Sequence, residues 1–222
     1  KMNRIMDSIN IAFFDAKAYD TEYFNLVNKD FDYNIKYFSN HLTTDTVTLT
    51  KGYNVVCIFV NDIITSDIAN TLVENGIQLI ALRSAGYNNI DLNAVYKKIH
   101  VVRVPSYSPY AVAEHAVALM LTLNRKIHKA YYRTRDSNFN INGLLGFDMY
   151  GKTAGIIGTG RIGKVIIKIL TGFGMKILAY DPCPDKEYAE AVNFKYVDLN
   201  AIYKESDIIS LHCPLTKDTY HL

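Results

Sequence analysis

Residues 153–163 read TAGIIGTGRIG, and this stretch decides the fold of the second half of the chain. It begins with an apolar, β-branched segment that predicts a buried strand and ends with three glycines in the spacing GxGxxG. We expect a helix over about 161–172 and then a second strand, MKILAYD, which ends at Asp181, 23 residues after the first glycine. Although GxGxxG alone is weak evidence, this context predicts a doubly wound Rossmann unit that binds a dinucleotide.

Each residue type in this pattern has a physical reason. Gly158 allows the tight turn, Gly160 lets the backbone approach a pyrophosphate, and Gly163 lets the helix pack closely on the strand. The free N–H groups at the helix N-terminus can bind the phosphates. Asp181 is placed to accept hydrogen bonds from both hydroxyls of the adenine ribose, and its charge would repel a 2′-phosphate, so the sequence favours NAD over NADP.

The loop after the fourth strand of this unit is the second candidate cofactor contact. In a sheet of order 3-2-1-4, the loops after strands 1 and 4 flank the dinucleotide, and the fourth strand is expected at 207–211. We therefore expect backbone groups near Cys213 and Pro214, and the hydroxyl of Thr219, beside the cofactor. The alternative interpretation is an ordinary loop that ends at a proline.

The first half of the chain repeats short apolar strands between helix-length polar stretches. The expected strands are INIAFF, YNIKYF, VVCIFV, IQLIAL and HVVRV. They are apolar on both faces, which a parallel sheet between two helix layers requires. Residues 1–107 are therefore predicted to form a flavodoxin-like α/β domain.

A domain boundary is expected at the two prolines in the stretch 104–109. Ser108 can cap a helix whose first residue is Pro109, so residues 108–222 form the second domain, the dinucleotide-binding one. The apolar spacing after it predicts one long helix over 110 to about 134. Such a helix can pack between domains or between subunits, and we expect a homo-oligomer.

The composition excludes several classes of protein. With 222 residues, 49% hydrophobic content and a net charge of +2, the chain has enough apolar residues for a core and no charge run suited to nucleic acid or a lipid surface. Cys57, Cys183 and Cys213 form no metal-ligand pair, so we expect free thiols, no metal and a reducing compartment. No apolar run could cross a membrane, and the expected location is cytoplasmic.

Four stretches together carry a family resemblance: VVRVPSYSPYAVAEHAVALML, RSAGYNNIDL, GTGRIG and ISLHCPLT. In this order they resemble the D-2-hydroxyacid dehydrogenases, and among these the fermentative D-lactate dehydrogenases. The similarity runs from about residue 9 to the end of the chain. It implies that the first domain is the substrate domain, that NAD is the cofactor, and that the reaction is hydride transfer between NADH and a small 2-keto acid, pyruvate first of all.

The resemblance also implies site residues. The backbone at Ala85 and Gly86 would bind the substrate carboxylate, and Tyr107 would reach the substrate. The alternatives are a turn before the helix that starts at Asp91, and a half-buried aromatic residue. Val112 would lie near the nicotinamide. The cofactor contacts that the resemblance carries over are Arg161, Ile162, Asp181, Cys213 and Pro214, whereas Thr219 stands where close relatives often have Asn.

No catalytic residue of the family is expected in this chain. Its arginine, glutamate and histidine lie beyond the equivalent of residue 222, so we interpret the sequence as a fragment that would be inactive alone. The histidines present are expected to be structural. A non-catalytic NAD-sensing or partner-binding protein is the alternative function, and glyoxylate or hydroxypyruvate are alternative substrates.

Overall fold

The computed structural model describes residues 9–222 and divides into two compact units, the first ending at Tyr107 and the second covering Ser108–Leu222. Each unit has its own parallel sheet and its own apolar core. No helix in the described part of the chain is both long and apolar enough to cross a membrane.

The first unit has the strand order expected from its sequence. Its five parallel strands pair in the order β2-β1-β3-β4-β5, which is the flavodoxin-like order and confirms the predicted fold. The strands are β1 (Asn10–Phe13), β2 (Asn34–Tyr37), β3 (Val55–Ile58), β4 (Leu79–Leu82) and β5 (His100–Arg103). The helices are α1 (Ala18–Asn28), α2 (Ser66–Glu74) and α3 (Leu92–Val95), with a 3-10 helix at Val47–Thr50.

Burial in this sheet differs from the sequence prediction at the edges. All four residues of β3, the central strand, are buried, as expected for a strand covered on both faces. The edge strands β2 and β5 have no fully buried residue, so the prediction that every strand is apolar on both faces was wrong for them. The helix layers cover the middle of the sheet, and an edge strand has a neighbour on one side only.

The second unit is a four-stranded parallel sheet in the order β8-β7-β6-β9, which is the predicted order 3-2-1-4. The strands are β6 (Thr153–Ile157), β7 (Lys176–Tyr180), β8 (Lys195–Tyr196) and β9 (Ile208–Leu211). The helices after the glycine turn are α6 (Arg161–Gly172), α7 (Lys186–Val192) and α8 (Leu199–Glu205). Ile166, Ile167 and Leu170 of α6 are fully buried in the core, so α6 is held firmly where the glycine turn ends.

The single long helix predicted over 110–134 was wrong. The chain forms α4 (Pro109–Arg125) and α5 (Ile127–Arg135), separated by Lys126 in the left-handed conformation with φ 52°. Asn124 donates to the Phe147 carbonyl at 2.8 Å and accepts from its N–H at 2.9 Å, while Lys126 donates to the Leu145 carbonyl at 2.6 Å. These contacts with a later loop stabilise a break that helical periodicity cannot reveal.

The start of α4 agrees only in part with the sequence prediction. Ser108 is the N-cap residue and Pro109 follows at the first turn, but the Ser108 hydroxyl makes no capping hydrogen bond. The proline alone fixes the backbone at this helix start, because its φ is already helical.

Candidate dinucleotide site

The glycine turn brings β6, α6 and the loop after β9 together. Gly158 has φ +95°, and a Cβ on it would lie 2.6 Å from the backbone carbonyl carbon of His212. Gly163 faces the carbonyl of Gly158, which a Cβ would overlap. At Gly160 a Cβ would meet nothing within 4 Å. Two of the glycines therefore allow close packing within the protein, and Gly160 leaves open space beside the first turn of α6.

That open space lies at a helix N-terminus. Gly160 is the N-cap of α6, so the N–H groups of the first turn, which includes Arg161 and Ile162, have no partner within the helix. Arg161 is exposed and Ile162 is half-buried. Free donors next to an open backbone surface fit a bound pyrophosphate.

Asp181 follows β7 directly and is fixed by three hydrogen bonds. Its Oδ2 accepts from the N–H of Thr159 at 2.7 Å and from the Thr159 hydroxyl at 3.0 Å, and its Oδ1 accepts from the N–H of Cys183 at 2.9 Å. Burial raises the pKa of Asp181, but the hydrogen bonds from Thr159 and Cys183 outweigh it and hold the pKa below its ordinary value of 3.8. The side chain is therefore a fixed anion near neutral pH.

The hydrogen bonds also limit what Asp181 can still accept. A carboxylate has about four acceptor positions, and the two on Oδ2 are taken by Thr159. One position on Oδ1 stays open beside the bond from Cys183. Sequence reasoning placed Asp181 correctly after the strand but did not reveal Thr159, which is 5% exposed, as its partner.

A cavity of about 420 Å³ lies between the ends of β6, β7 and β9. It brings together five of the residues predicted from the sequence: Gly158, Asp181, Cys213, Pro214 and Thr219. The other lining residues are Ile157, Tyr180, Pro182, Cys183, Leu199, Thr216, Asp218 and Leu222. The cavity walls are mostly apolar and carry two acids, Asp218 and the hydrogen-bonded Asp181, which suits the adenosine part of a dinucleotide.

The remaining predicted cofactor residues lie outside this cavity. Gly160, Arg161, Ile162 and Gly163 form the start of α6, and Val112 is half-buried on α4. The predicted set is thus divided among the cavity, the start of α6 and Val112 on α4.

Polar groups of the loop after β9 form hydrogen bonds with each other. The Thr219 hydroxyl donates to the Pro214 carbonyl at 2.6 Å and accepts from the N–H of Thr216 at 2.7 Å. His212, at the start of the loop, lies with Nε2 2.9 Å from the Ser210 hydroxyl, and burial lowers the pKa of its imidazole. Thr219 therefore shapes the cavity wall through the loop, and its hydroxyl is already engaged in this structure.

The candidate carboxylate loop of the first unit follows β4. The Ser84 hydroxyl donates to the Gly86 carbonyl at 2.8 Å, and Arg103 donates to the Ala85 carbonyl at 2.8 Å. Among residues 9–222, no protein acceptor is bonded to the N–H of Ala85 or Gly86. The loop therefore turns its carbonyls toward the protein and keeps two donors available, while Tyr107 is exposed at the end of the unit.

Arg83, just before this loop, is a residue whose role sequence reasoning missed. Its guanidinium lies 4.1 Å from the ring centre of Phe13 and 5.2 Å from that of Phe59, and it donates to the carbonyls of Phe14 and Asp15. The side chain is only 9% exposed. It connects the end of β4 to the end of β1 and thereby fixes the base of the loop.

Metal ligation has no support in the described residues. No group of three or more His, Cys, Asp or Glu side chains in residues 9–222 could hold a metal ion.

Comparison with known proteins assigns the family. Residues 117–222 match the model of the D-isomer specific 2-hydroxyacid dehydrogenase, NAD binding domain. D-lactate dehydrogenase of Escherichia coli K12 is 50% identical over 215 residues, which are 96% of this chain and 65% of that protein. The apo-structure of the E. coli enzyme superposes with a TM-score of 0.88, at 50% identity, over 96% of this chain and 67% of that one.

A solved structure of the pyruvate reductase of Chlamydomonas reinhardtii is also similar, with a TM-score of 0.86 and 39% identity over 96% of this chain and 63% of that one. The chain thus spans 62–65% of the length of the curated relatives it matches. The glycine turn, the acid after β7 and these matches agree, and the chain belongs to the D-isomer specific 2-hydroxyacid dehydrogenases, with their NAD-binding domain in its second half.

Proposed function

We propose that this chain carries the cofactor-binding and carboxylate-binding parts of an NADH-dependent dehydrogenase that reduces pyruvate to D-lactate. The observation that carries the proposal is the cavity at the ends of β6, β7 and β9, whose wall holds the anionic Asp181 beside the glycine turn. The named activities of the similar proteins, D-lactate dehydrogenase and pyruvate reductase, support the choice of substrate.

The residues present fit NAD. The cavity would hold the adenosine, the open space at Gly160 and the free N–H groups of α6 would hold the pyrophosphate, and Val112 would lie near the nicotinamide. When bound, the reduced cofactor supplies the hydride. The charge of Asp181 would exclude a 2′-phosphate, and the open acceptor position on its Oδ1 would take a ribose hydroxyl.

The first unit would bind the carboxylate of the 2-keto acid. The two N–H groups at Ala85 and Gly86 would bind the anion, and the bonds from Ser84 and Arg103 to the carbonyls of the same residues support this by holding the loop backbone in place. Two backbone donors recognise any 2-keto acid carboxylate, so the preference for pyruvate would come from other contacts, Tyr107 among them.

Kinetics of the full-length gene product test this function. NADH absorbance is followed with pyruvate, glyoxylate and hydroxypyruvate, and the chirality of the product is determined. We expect the highest kcat/KM with pyruvate and a D-configured product. Tight NADH binding without turnover of any of the three acids would favour the non-catalytic NAD-sensing alternative, and a higher kcat/KM with glyoxylate or hydroxypyruvate would change the substrate.

We infer further that the protein works in the cytoplasm and forms a homo-oligomer. We also infer that α5 and the loop after it contact a second copy of the chain. Ile127, Phe139, Ile141 and Leu145 are all more than half exposed, and apolar exposure on this scale is typical of a protein interface. The molar mass from light scattering should be that of at least a dimer, and Leu145→Lys should weaken the association between copies. A monomer at micromolar concentration would contradict this inference.

A further inference from the structure

A row of hydrogen-bonded groups leads through the protein to the carboxylate of Asp181. The N–H of Asp185 donates to the Tyr196 hydroxyl at 3.2 Å. The Tyr196 hydroxyl lies 2.8 Å from the Thr159 hydroxyl, which in turn donates to Asp181 Oδ2 at 3.0 Å. Three groups, from the start of α7, from β8 and from the glycine turn, therefore form a chain of hydrogen bonds that ends at one carboxylate oxygen.

The direction of these hydrogen bonds follows from the charge at their end. An ionised carboxylate can only accept, so the single hydroxyl hydrogen of Thr159 points to Asp181. The Thr159 oxygen must then accept from Tyr196, which is free to donate because it accepts from the N–H of Asp185. All three hydrogens point toward Asp181, and hydrogen bonds aligned in this way polarise one another.

The far end of the row is fixed to two helices. Asp185 caps α7 by accepting from the N–H of Tyr188 at 3.0 Å, and Lys164 of α6 donates to the same carboxylate at 2.6 Å. Thr159 is buried and Tyr196 is half-buried, so water competes little for their hydroxyls. Contacts with the surrounding helices and strand therefore hold the Asp181 carboxylate in place.

We propose that Thr159 and Tyr196 are positioning residues that set the preference for NAD over NADP by fixing the Asp181 carboxylate. The proposal rests on the NAD-binding function proposed above. A carboxylate that can rotate is able to turn its charge away from a 2′-phosphate, whereas a fixed one keeps both its repulsion and its bond to the ribose. Selectivity therefore depends on residues that need not touch the cofactor.

Cofactor titration of matched variants tests the proposal. Thr159→Val removes the hydroxyl but keeps the backbone donor, and Thr159→Ser keeps both. Tyr196→Phe removes the donor to Thr159 together with the acceptor for the N–H of Asp185. The controls are Thr171→Val, whose hydroxyl donates to the Ile167 carbonyl within α6, and Tyr203→Phe, whose side chain is exposed on α8. The dissociation constants of NADH and NADPH are measured by calorimetry.

We expect the ratio of the NADPH to the NADH dissociation constant to fall about tenfold in Thr159→Val, since the lost bond is to a charged group. It should fall less in Tyr196→Phe and stay unchanged in Thr159→Ser and both controls. An unchanged ratio in Thr159→Val and Tyr196→Phe overturns the proposal. If Thr159→Val does not fold, an unchanged ratio in Tyr196→Phe alone overturns it, and absence of NADH binding by the unmodified chain would instead contradict the proposed function.

Discussion

Gly163 faces the carbonyl oxygen of Gly158 so closely that a Cβ at residue 163 would overlap it, whereas a Cβ at Gly160 would meet nothing within 4 Å. Gly163→Ala should therefore lower the free energy of unfolding by about 1–3 kcal/mol, because the obstructing atom belongs to the backbone. Gly160→Ala should leave stability within about 0.5 kcal/mol but weaken NADH binding, since its methyl group would enter the open space. Urea unfolding and NADH titration of both variants check this, and equal unfolding midpoints would contradict it.

Asp181 is one of two carboxylates at the cavity wall, the other being Asp218, and it is the one that hydrogen bonds hold in place. Asp181→Asn keeps the volume and removes the negative charge, so NADH affinity should fall relative to NADPH affinity by about tenfold or more. Asp148→Asn, in an exposed loop, is the matched control and should change neither affinity. A wild-type cofactor preference in the Asp181 variant would mean that this acid does not contact the ribose.

The three thiols should differ in reactivity. Burial raises the pKa of Cys57 to about 11, while Cys183 is exposed and lines the cavity together with Cys213. A colourless disulfide reagent that releases a chromophore should react with Cys183 first at pH 8, and with Cys57 only after unfolding. NADH should slow modification of Cys183 and Cys213, with Cys183→Ser used to assign the fast phase. Equal rates with and without NADH would argue against cofactor entry into this cavity.

Arg83 should be a stability determinant of the first unit. Arg83→Met would remove the guanidinium between the rings of Phe13 and Phe59 and leave Asp20, 3.6 Å away and 9% exposed, without its cation. The expected loss is about 3 kcal/mol in the free energy of unfolding. Arg103→Met removes an exposed bond to Ala85 and a contact with the Tyr87 ring, 5.5 Å from the guanidinium, and it should cost less than about 1 kcal/mol by the same denaturant titration. A similar loss in both variants would show that burial of Arg83 is not the cause.

Acid should weaken the first unit through Asp15. The hydrogen bond from Lys17 lowers the pKa of this buried carboxyl, with help from the charges of His41 and Arg83 and against the effect of burial. A lowered folded-state pKa stabilises the protein above the ordinary pKa of 3.8, and this contribution is lost as the pH falls through the folded-state pKa. Asp15 has a left-handed backbone, φ 50°, which Asn also tolerates, so Asp15→Asn should not add backbone strain. The difference in the free energy of unfolding between the unmodified chain and this variant should be largest at neutral pH and should disappear as the pH falls below about 4. A gap independent of pH would contradict this assignment.

The sequence predicted well those elements that are determined by residues close together in the chain. The apolar strands, the glycine turn and the start of α6 follow from residues adjacent in the chain, and both strand orders follow from the resulting βα units. The break at Lys126 could not be predicted, because Asn124 finds its partner Phe147 23 residues later. The same is true of Tyr196, which reaches Thr159 from 37 residues away, and of Arg83, whose burial depends on three strands meeting.

The cavity at the ends of β6, β7 and β9 couples ligand binding to assembly of the sheet. Its walls come from Ile157 to Leu222, so it exists only when these strands have paired in register. A ligand that binds the folded sheet alone stabilises it by mass action, by about 2.7 kcal/mol at a hundred times its Kd. The melting temperature of the second unit should therefore rise with cofactor concentration, and a thermal shift can rank candidate nucleotides without an activity measurement.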